Sequence, residues 1–277
     1  MPLVEIDDLS VVYGGRRRTG KAALDGVSLD LRRGETLGLV GESGSGKTTL
    51  GRAVLGLVPV TGGTIRFDGQ DITRADRRTR RALSQRIQVV FQNPYLSLNP
   101  QRTVLQSVME TLTSSPEVSR DEARARSIEM LERVGVPPAA VERYPGAFSG
   151  GQRQRIAIAR ALVPRPDVVV CDEAVSALDL SIQAQVLNLL VDLQDELGLT
   201  YLFITHDLAV VRHLCHRVAV LRRGELVETG DTAAVCAAPA HDYTRALLAS
   251  APVADPRAHH LVPPAPAVTA VPAARLA

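Results

Sequence analysis

Three features of the sequence predict an α/β fold, a mostly parallel sheet with helices on both faces and a helical insert. Residues 36–40 are a continuous apolar run that enters a glycine-rich turn and then a stretch with helical spacing, as expected of a strand buried on both faces. From residue 168 onward short apolar runs alternate with longer amphipathic segments, the order that wraps helices around a parallel sheet. Between about residues 95 and 165 the chain turns helical and polar, which reads as the insert.

Taken in order, residues 3–6, 11–13 and 27–31 are short β-rich runs divided by Gly-Gly, Asp-Gly and Arg-Gly turn signals. Residues 36–40 form the buried strand and 47–57 the helix after the glycine turn, with further strands at 64–67 and 87–91. Apolar spacing in the insert predicts helices at 104–112, 121–134 and 152–162. A strand at 168–171, a helix at 182–197, a strand at 200–204 and a helix at 208–214 follow, and 218–221 and 225–229 flank an Arg-Gly turn as a hairpin. From Ala251 the chain is rich in alanine and proline and reads as a flexible tail. Residues 1–250 are thus the expected folded unit, without an internal repeat.

Composition narrows the function classes. The 277 residues are 45% hydrophobic and 22% charged, which excludes wholesale disorder. No run of 18 or more uncharged apolar residues occurs, so no helix is expected to span a bilayer. The start of the chain carries Glu5, Asp7 and Asp8 and lacks the basic and apolar blocks of a secretory signal. Cys171, Cys215 and Cys236 are an odd, scattered set that fits reduced thiols in the cytosol. A net charge of +2 gives no bulk electrostatic reason to expect a nucleic-acid partner. Of 32 basic residues only Lys21 and Lys47 are lysine. In a chain that uses arginine wherever either cation serves, Lys47 reads as a position needing a compact point charge.

Lys47 lies in Gly41-Glu42-Ser43-Gly44-Ser45-Gly46-Lys47-Thr48, which fits the phosphate-loop pattern G-x-x-x-x-G-K-[ST]. Gly41, Gly44 and Gly46, with Ser43 between them, let successive backbone N–H groups point inward, and the following helix adds its positive end. In such a loop Lys47 reaches the β- and γ-phosphates and the Thr48 hydroxyl meets Mg²⁺, while Thr49 is placed for the next phosphate oxygen. Asp172 and Glu173 end the apolar run that starts at Val168, where parallel sheets bind ligands. Asp172 is suited to orient Mg²⁺ and Glu173 to polarise an attacking water as general base. Together these predict a P-loop NTPase core that binds a nucleotide with Mg²⁺. Cys171 beside them reads as a small buried hydrophobe.

With these residues in hand the sequence resembles the ATP-binding subunits of ABC transporters. Phe148-Ser149-Gly150-Gly151-Gln152 looks like that family's signature loop, and a Ser-Gly-Gly turn opening a helix is physically a second anion site. The resemblance implies that Ser149, Gly150, Gly151 and Gln152 complete the ATP site of a partner cassette. It implies that Gln92 is the Q-loop glutamine, touching metal or water and linking to membrane subunits. Asp179, in Ser176-Ala177-Leu178-Asp179, matches the D-loop along the dimer seam, and His206 the switch histidine at the γ-phosphate. Tyr13 is placed like the aromatic that stacks on adenine. The resemblance spans about residues 3–250 and implies an N-terminal antiparallel β subdomain, a RecA-like core and the inserted helices. Phe148 stands where the family has leucine, an apolar exchange at a packing position, and Ala174 where proline commonly follows the glutamate.

A narrower likeness points to importer ATPases for oligopeptides, dipeptides and nickel. It rests on residues 91–100, on 172–185, and on His241-Asp242-Tyr243-Thr244-Arg245, where Asp242 replaces a proline. The subfamily's longer C-terminal extension is short here. This likeness implies ATP and Mg²⁺ as cofactors, with a second cassette, two membrane permease subunits and an extracytoplasmic solute-binding protein as partners. It implies a peripheral location on the cytoplasmic face of the membrane, with no nucleic acid expected. The rival readings are a nickel or other small-solute importer, an exporter, and an ABC-type ATPase acting on nucleic acid or ribosomes. The last generally carries two cassettes or a long coiled-coil insert, and this sequence has neither. The arginines from Arg74 to Arg86 read as a solvated helix face, and His213, Cys215 and His216 as an ordinary helix end.

Overall fold

A computed structural model describes residues 2–14, 22–113 and 118–250; the tail expected from residue 251 lies outside them. Strands β1 (Pro2–Val12), β2 (Ala22–Arg32), β4 (Gly62–Phe67) and β5 (Gln70–Asp71) form an antiparallel sheet in the order β2-β1-β4-β5. The second sheet has the order β10-β9-β3-β8-β7-β6, from β3 (Thr36–Val40), β6 (Ile87–Phe91), β7 (Val168–Asp172), β8 (Thr200–Ile204), β9 (Arg217–Arg222) and β10 (Glu225–Asp231). Its neighbours run parallel except β10, which pairs antiparallel with β9 as the predicted hairpin. The mostly parallel core and the antiparallel N-terminal sheet are therefore as expected.

The central strands β3, β7, β8 and β9 are mostly apolar because both of their faces are covered. Leu37, Leu39, Val168, Val170, Leu202, Ile204, Ala219 and Leu221 meet the antiparallel sheet and helix α1 (Lys47–Val54). The alternate residues Val169, Cys171, Tyr201, Phe203, Val218 and Val220 join a second core with α6 (Gly150–Leu162), α7 (Leu180–Leu197) and α8 (Leu208–Leu214). This period of two assigns each side chain to one core or the other, and burying each large aliphatic one contributes about 1.5–3 kcal/mol. The insert continues the second core. Val104, Val108 and Leu112 of α4 (Val104–Thr113) pack with Met130 and Leu131 of α5 (Arg120–Arg133) and with Ile156 and Ile158 of α6.

Several boundaries differ from the sequence reading, each for a local reason. The runs at 3–6 and 11–13 are one strand, β1, since Asp7 and Asp8 form a bulge with Asp8 at φ +51°. Asp25-Gly26, read as a turn, is a second bulge inside β2, with Gly26 at φ +63°. Short hydroxyl side chains mend the interrupted ladder: Ser28 accepts from the Asp8 N–H and Ser10 from the Gly26 N–H. The arginine-rich segment is helix α2 (Arg77–Arg86), buried only at Leu83 and capped by Asp76, which accepts from the Thr79 N–H. Helices α3 (Pro94–Ser97), α9 (Thr232–Ala237) and α10 (Asp242–Ser250) lie where the sequence reads no helix; α3 and α9, of four and six residues, are too short for an apolar period to declare itself.

The two sheets are tied by Arg217 of β9, which donates to both carboxylate oxygens of Asp30 in β2 at 3.0 and 3.2 Å and to Glu35 at 3.1 Å. Hydrogen bonding from Arg217 holds the Asp30 carboxyl below its ordinary 3.8. A depressed carboxyl contributes stability that is present above pH 3.8 and lost as pH falls through the lower native value. Asp30→Asn should therefore lower Tm at pH 7 and flatten the fall of Tm in acid. Thermal melts from pH 7 to about pH 3 read this out, and parallel curves for the two proteins would refute it.

Candidate nucleotide site

Strand β3 ends at Val40, the loop of residues 41–46 follows, and Lys47 opens α1. Gly41 and Gly46 adopt φ of +149° and +108°, which glycine accommodates at low cost. Space demands them as well. A Cβ on Gly41 would lie 2.1 Å from the Leu221 carbonyl oxygen, and one on Gly46 2.5 Å from that of Ala23. The loop is thus wedged between β9 and β2, while Glu42, Ser43 and Gly44 form its exposed rim.

The Lys47 side chain is buried and turns back along the loop, donating to the carbonyls of Gly41 at 2.7 Å and Glu42 at 2.8 Å. Burial pulls its ammonium below the usual lysine range, against the opposing pull of Glu173, Asp172 and Glu42. Thr48 donates its hydroxyl to Asp172 at 3.0 Å. Burial raises the Asp172 carboxyl, and the Thr48 bond and Arg52 work the other way.

The acids and their companions come from three adjacent parallel strands in register. Phe91 of β6 pairs with Asp172 of β7, which pairs with Ile204 of β8, so Gln92, Glu173 and Thr205 each stand one residue past the same line. Glu173 takes a left-handed conformation at φ +51°, and its N–H donates to the Ile204 carbonyl at 2.9 Å. Ala174 is buried, and Ser176 donates its N–H to the Glu173 carbonyl; the turn closes without the proline and both acids stay in place. The Ser176 hydroxyl lies 3.4 Å from Glu173 Oε2 and accepts from Gln92 Nε2 at 3.1 Å. His206 Nδ1 stands 3.5 Å from Glu173 Oε1. A polar chain Gln92–Ser176–Glu173–His206 therefore crosses the sheet's C-terminal edge beside the loop.

The remaining predicted residues sit around this centre. Tyr13 is 48% exposed, which excludes a core role, and its hydroxyl lies 3.5 Å from Thr49 Oγ1. Ser149 caps α6 in a reciprocal box: its hydroxyl accepts from the Gln152 N–H and Gln152 accepts from the Ser149 N–H. Phe148 is buried, as expected for a packing position. Gly151 fits tightly on α7, where a Cβ would approach Ile182 to 2.4 Å. Among the described residues no hydrogen bond joins the Ser149 turn to the loop of residues 41–48. Asp179 precedes α7 without a side-chain capping bond, and the adjoining Leu180 is 84% exposed. His213 pairs with Asn188, and His216 accepts from the Thr36 N–H. Cys171 is fully buried, with its thiol pushed far up by desolvation.

Two residues gain importance that the sequence did not assign them. In sequence Ser176 is only the start of the D-loop match, yet its hydroxyl bridges Gln92 and Glu173. In sequence Tyr243 is only part of a subfamily element, yet its hydroxyl accepts the Glu42 N–H at 2.9 Å. A bond between positions so far apart in sequence leaves no local signal.

Residues 24–176 match the pattern of the ABC transporter family. A peptide import ATP-binding protein of Brucella abortus (strain 2308) is 53% identical over 256 residues, 90% of this chain and 77% of that protein. The chain belongs to the ABC transporter family. It is an ATP-binding cassette of the ATPase class. Residues 227–274 match the C-terminal region of oligopeptide/dipeptide transporters. A second peptide import ATP-binding protein, from Brucella ovis, is 51% identical over 93% of this chain and 81% of its own length. Among solved structures, cbiO1 of Clostridium perfringens, part of the transporter complex cbiONQ, superposes with TM-score 0.77 at 31% identity, covering 86% of this chain and 91% of that one. The cassette MJ0796, in a dimeric post-hydrolysis state with ADP and Pi, gives TM-score 0.74 at 30% identity, with 83% and 98% covered.

The crowding at Gly41 carries a direct expectation. Gly41→Ala should raise the Kd for a non-hydrolysable ATP analogue by about tenfold or more, the scale of local backbone strain. Calorimetric titration measures it; a wild-type Kd would mean that the loop does not need this approach to Leu221.

Proposed function

We propose that the chain is the ATP-hydrolysing subunit of an importer for peptides, working in a pair of cassettes on the cytoplasmic face of a membrane. The observation that carries the chemistry is the meeting of the phosphate loop with the Gln92–Ser176–Glu173–His206 chain at one sheet edge. The match of residues 227–274 to oligopeptide/dipeptide transporters, with the peptide-import names of the Brucella relatives, favours peptides over nickel as cargo.

In this reading the N–H groups of the loop and the start of α1 receive the β- and γ-phosphates of ATP. Lys47 leaves its two carbonyls for the phosphate oxygens, and Thr49 and Tyr13 flank the nucleotide, with the Tyr13 ring against adenine. Mg²⁺ suits the oxygen donors Thr48 and Asp172, which already stand 3.0 Å apart, with Gln92 as the further ligand. Bound there, it neutralises charge on the β- and γ-oxygens. Glu173 accepts a hydrogen bond from the attacking water and takes its proton as the water oxygen bonds to the γ-phosphorus and the bridging oxygen departs with ADP. His206, 60% exposed and close to Glu173, contacts the γ-phosphate.

The second half of the site comes from a partner cassette. Ser149, Gly150, Gly151 and Gln152 open α6, whose first N–H groups lack helical acceptors, and they grip the γ-phosphate held by the partner. Asp179 lies along the seam, and the exposed Leu180 beside it is the kind of large apolar side chain that an interface covers. ATP brings about four negative charges between two donor-lined surfaces, so closure is favourable only while the triphosphate is intact. Two permease subunits convert closing and opening into alternating access, and an extracytoplasmic solute-binding protein delivers the peptide. No described helix is long and apolar enough to cross a membrane, and the chain attaches peripherally through those permeases.

Glu173→Gln should bind Mg²⁺·ATP while its turnover falls by about 10²–10⁴-fold, the worth of a general base. Phosphate release measures turnover, and size-exclusion chromatography should show the variant pairing with itself or with its natural mate in Mg²⁺·ATP. Near-normal turnover would remove Glu173 from its role, and failure to pair would remove the shared site. Lys47→Ala should lose nucleotide binding in calorimetry.

A further inference from the structure

The C-terminal element and the phosphate loop meet at a single hydrogen bond. Tyr243, the second residue of α10, is 7% exposed, and its hydroxyl accepts the Glu42 N–H at 2.9 Å. That N–H belongs to the peptide whose carbonyl is Gly41 O, the oxygen that receives the Lys47 ammonium at 2.7 Å. In a trans peptide the N–H and C=O point to opposite sides, so Tyr243 and Lys47 bracket one peptide unit. Rotation of that unit would break both bonds.

The tyrosine is itself held firmly. The Glu228 carboxylate accepts from the N–H groups of Ala240 at 2.7 Å and His241 at 3.1 Å, and His241 Nδ1 accepts from the Tyr243 N–H at 3.0 Å. Arg245 donates to the carbonyls of Pro239 and Ala240, and the Arg222 guanidinium lies 5.0 Å over the Tyr243 ring. Arg222 ends β9 next to Leu221, whose carbonyl stands 2.1 Å from where a Gly41 Cβ would lie. None of these contacts involves Gln92, Ser176, Glu173 or His206.

We infer that Tyr243 is a positioning residue for ATP: its hydroxyl fixes the peptide between Gly41 and Glu42, and with it the loop's shape before nucleotide arrives. The inference rests on the reading of residues 41–48 as the nucleotide loop. Once Lys47 turns to the phosphates, the Gly41 carbonyl loses its cation, and the Tyr243 bond remains to hold the peptide. Without it the loop must be ordered at the moment of binding, which weakens affinity. The contribution falls on binding and leaves the chemical step alone.

The test compares the full chain with Tyr243→Phe, which keeps the ring and removes the hydroxyl, and with Lys47→Ala as reference. Calorimetry with a non-hydrolysable ATP analogue gives Kd, phosphate release gives KM and kcat, and melting without nucleotide gives Tm. Tyr243→Phe is expected to raise Kd and KM together by about threefold to tenfold, the worth of one neutral hydrogen bond, with most of the kcat retained. An unchanged Kd overturns the inference, and with a lowered Tm it would mark Tyr243 as merely an anchor of α10. A fall in kcat at constant KM overturns it too. If Lys47→Ala binds the analogue as tightly as the wild type, the loop assignment falls, and this inference with it. Loss in Lys47→Ala without loss in Tyr243→Phe sinks the tyrosine alone.

Discussion

The central sheet is apolar on both faces along β3, β7, β8 and β9, and this confines every charged group of the site to the ends of the strands. A charge placed within the strands would be desolvated without a partner, a cost that proteins avoid. At the C-terminal edge the cost is lower, because turns and helix starts supply hydrogen bonds. The register then does the assembly. Since Phe91, Asp172 and Ile204 lie side by side, the residues just beyond them are brought together without contact between distant loops. The polar chain from Gln92 to His206 is thus a consequence of how three hydrophobic strands align.

The same edge gives the two acids different surroundings. Asp172 is the last residue of β7, half-enclosed and already bonded to Thr48. Glu173 is turned off the strand by its left-handed backbone and faces Ser176 and His206. Adjacent residues of one extended strand would point to opposite faces. The reversal at Glu173 instead carries its carboxylate to the same end of the sheet as Asp172. The Glu173 N–H, anchored on the Ile204 carbonyl, holds this conformation with the buried Ala174 next to it and no proline.

What the sequence made legible was what is local. The loop of residues 41–48, the strand ending in Asp172-Glu173 and the Ser149 turn each carry their chemistry within a few consecutive residues, and their elements appear within a few positions of the expected bounds. The two bulges in β1 and β2 were missed because Asp-Asp and Asp-Gly are turn signals unless a neighbouring strand supplies Ser28 and Ser10 to mend the ladder. Helices α9 and α10 were missed because their stability comes from capping and tertiary contacts, among them Asp231 on α9 and Glu228 before α10. Ser176 and Tyr243 were not assigned roles because a hydroxyl's partner is set by topology, and no composition or spacing announces it.

Lys47 shows how these levels meet. Its ammonium is buried, so it needs partners at once, and it finds them in two loop carbonyls instead of a carboxylate. Neutral carbonyls satisfy the cation without neutralising it, and Asp172 and Glu173 stand near enough to raise its pKa without capturing it. On the proposed reading this is what allows Lys47 to exchange carbonyls for phosphate oxygens: a direct ion pair would compete with the nucleotide, whereas a carbonyl yields to a charged acceptor. The exchange leaves the loop peptide with less to hold it. The bond from Glu42 to Tyr243 lies on the far side of that peptide from the lysine, and the close approach of Gly41 to the Leu221 carbonyl limits the same residue sterically; neither contact is made through Lys47.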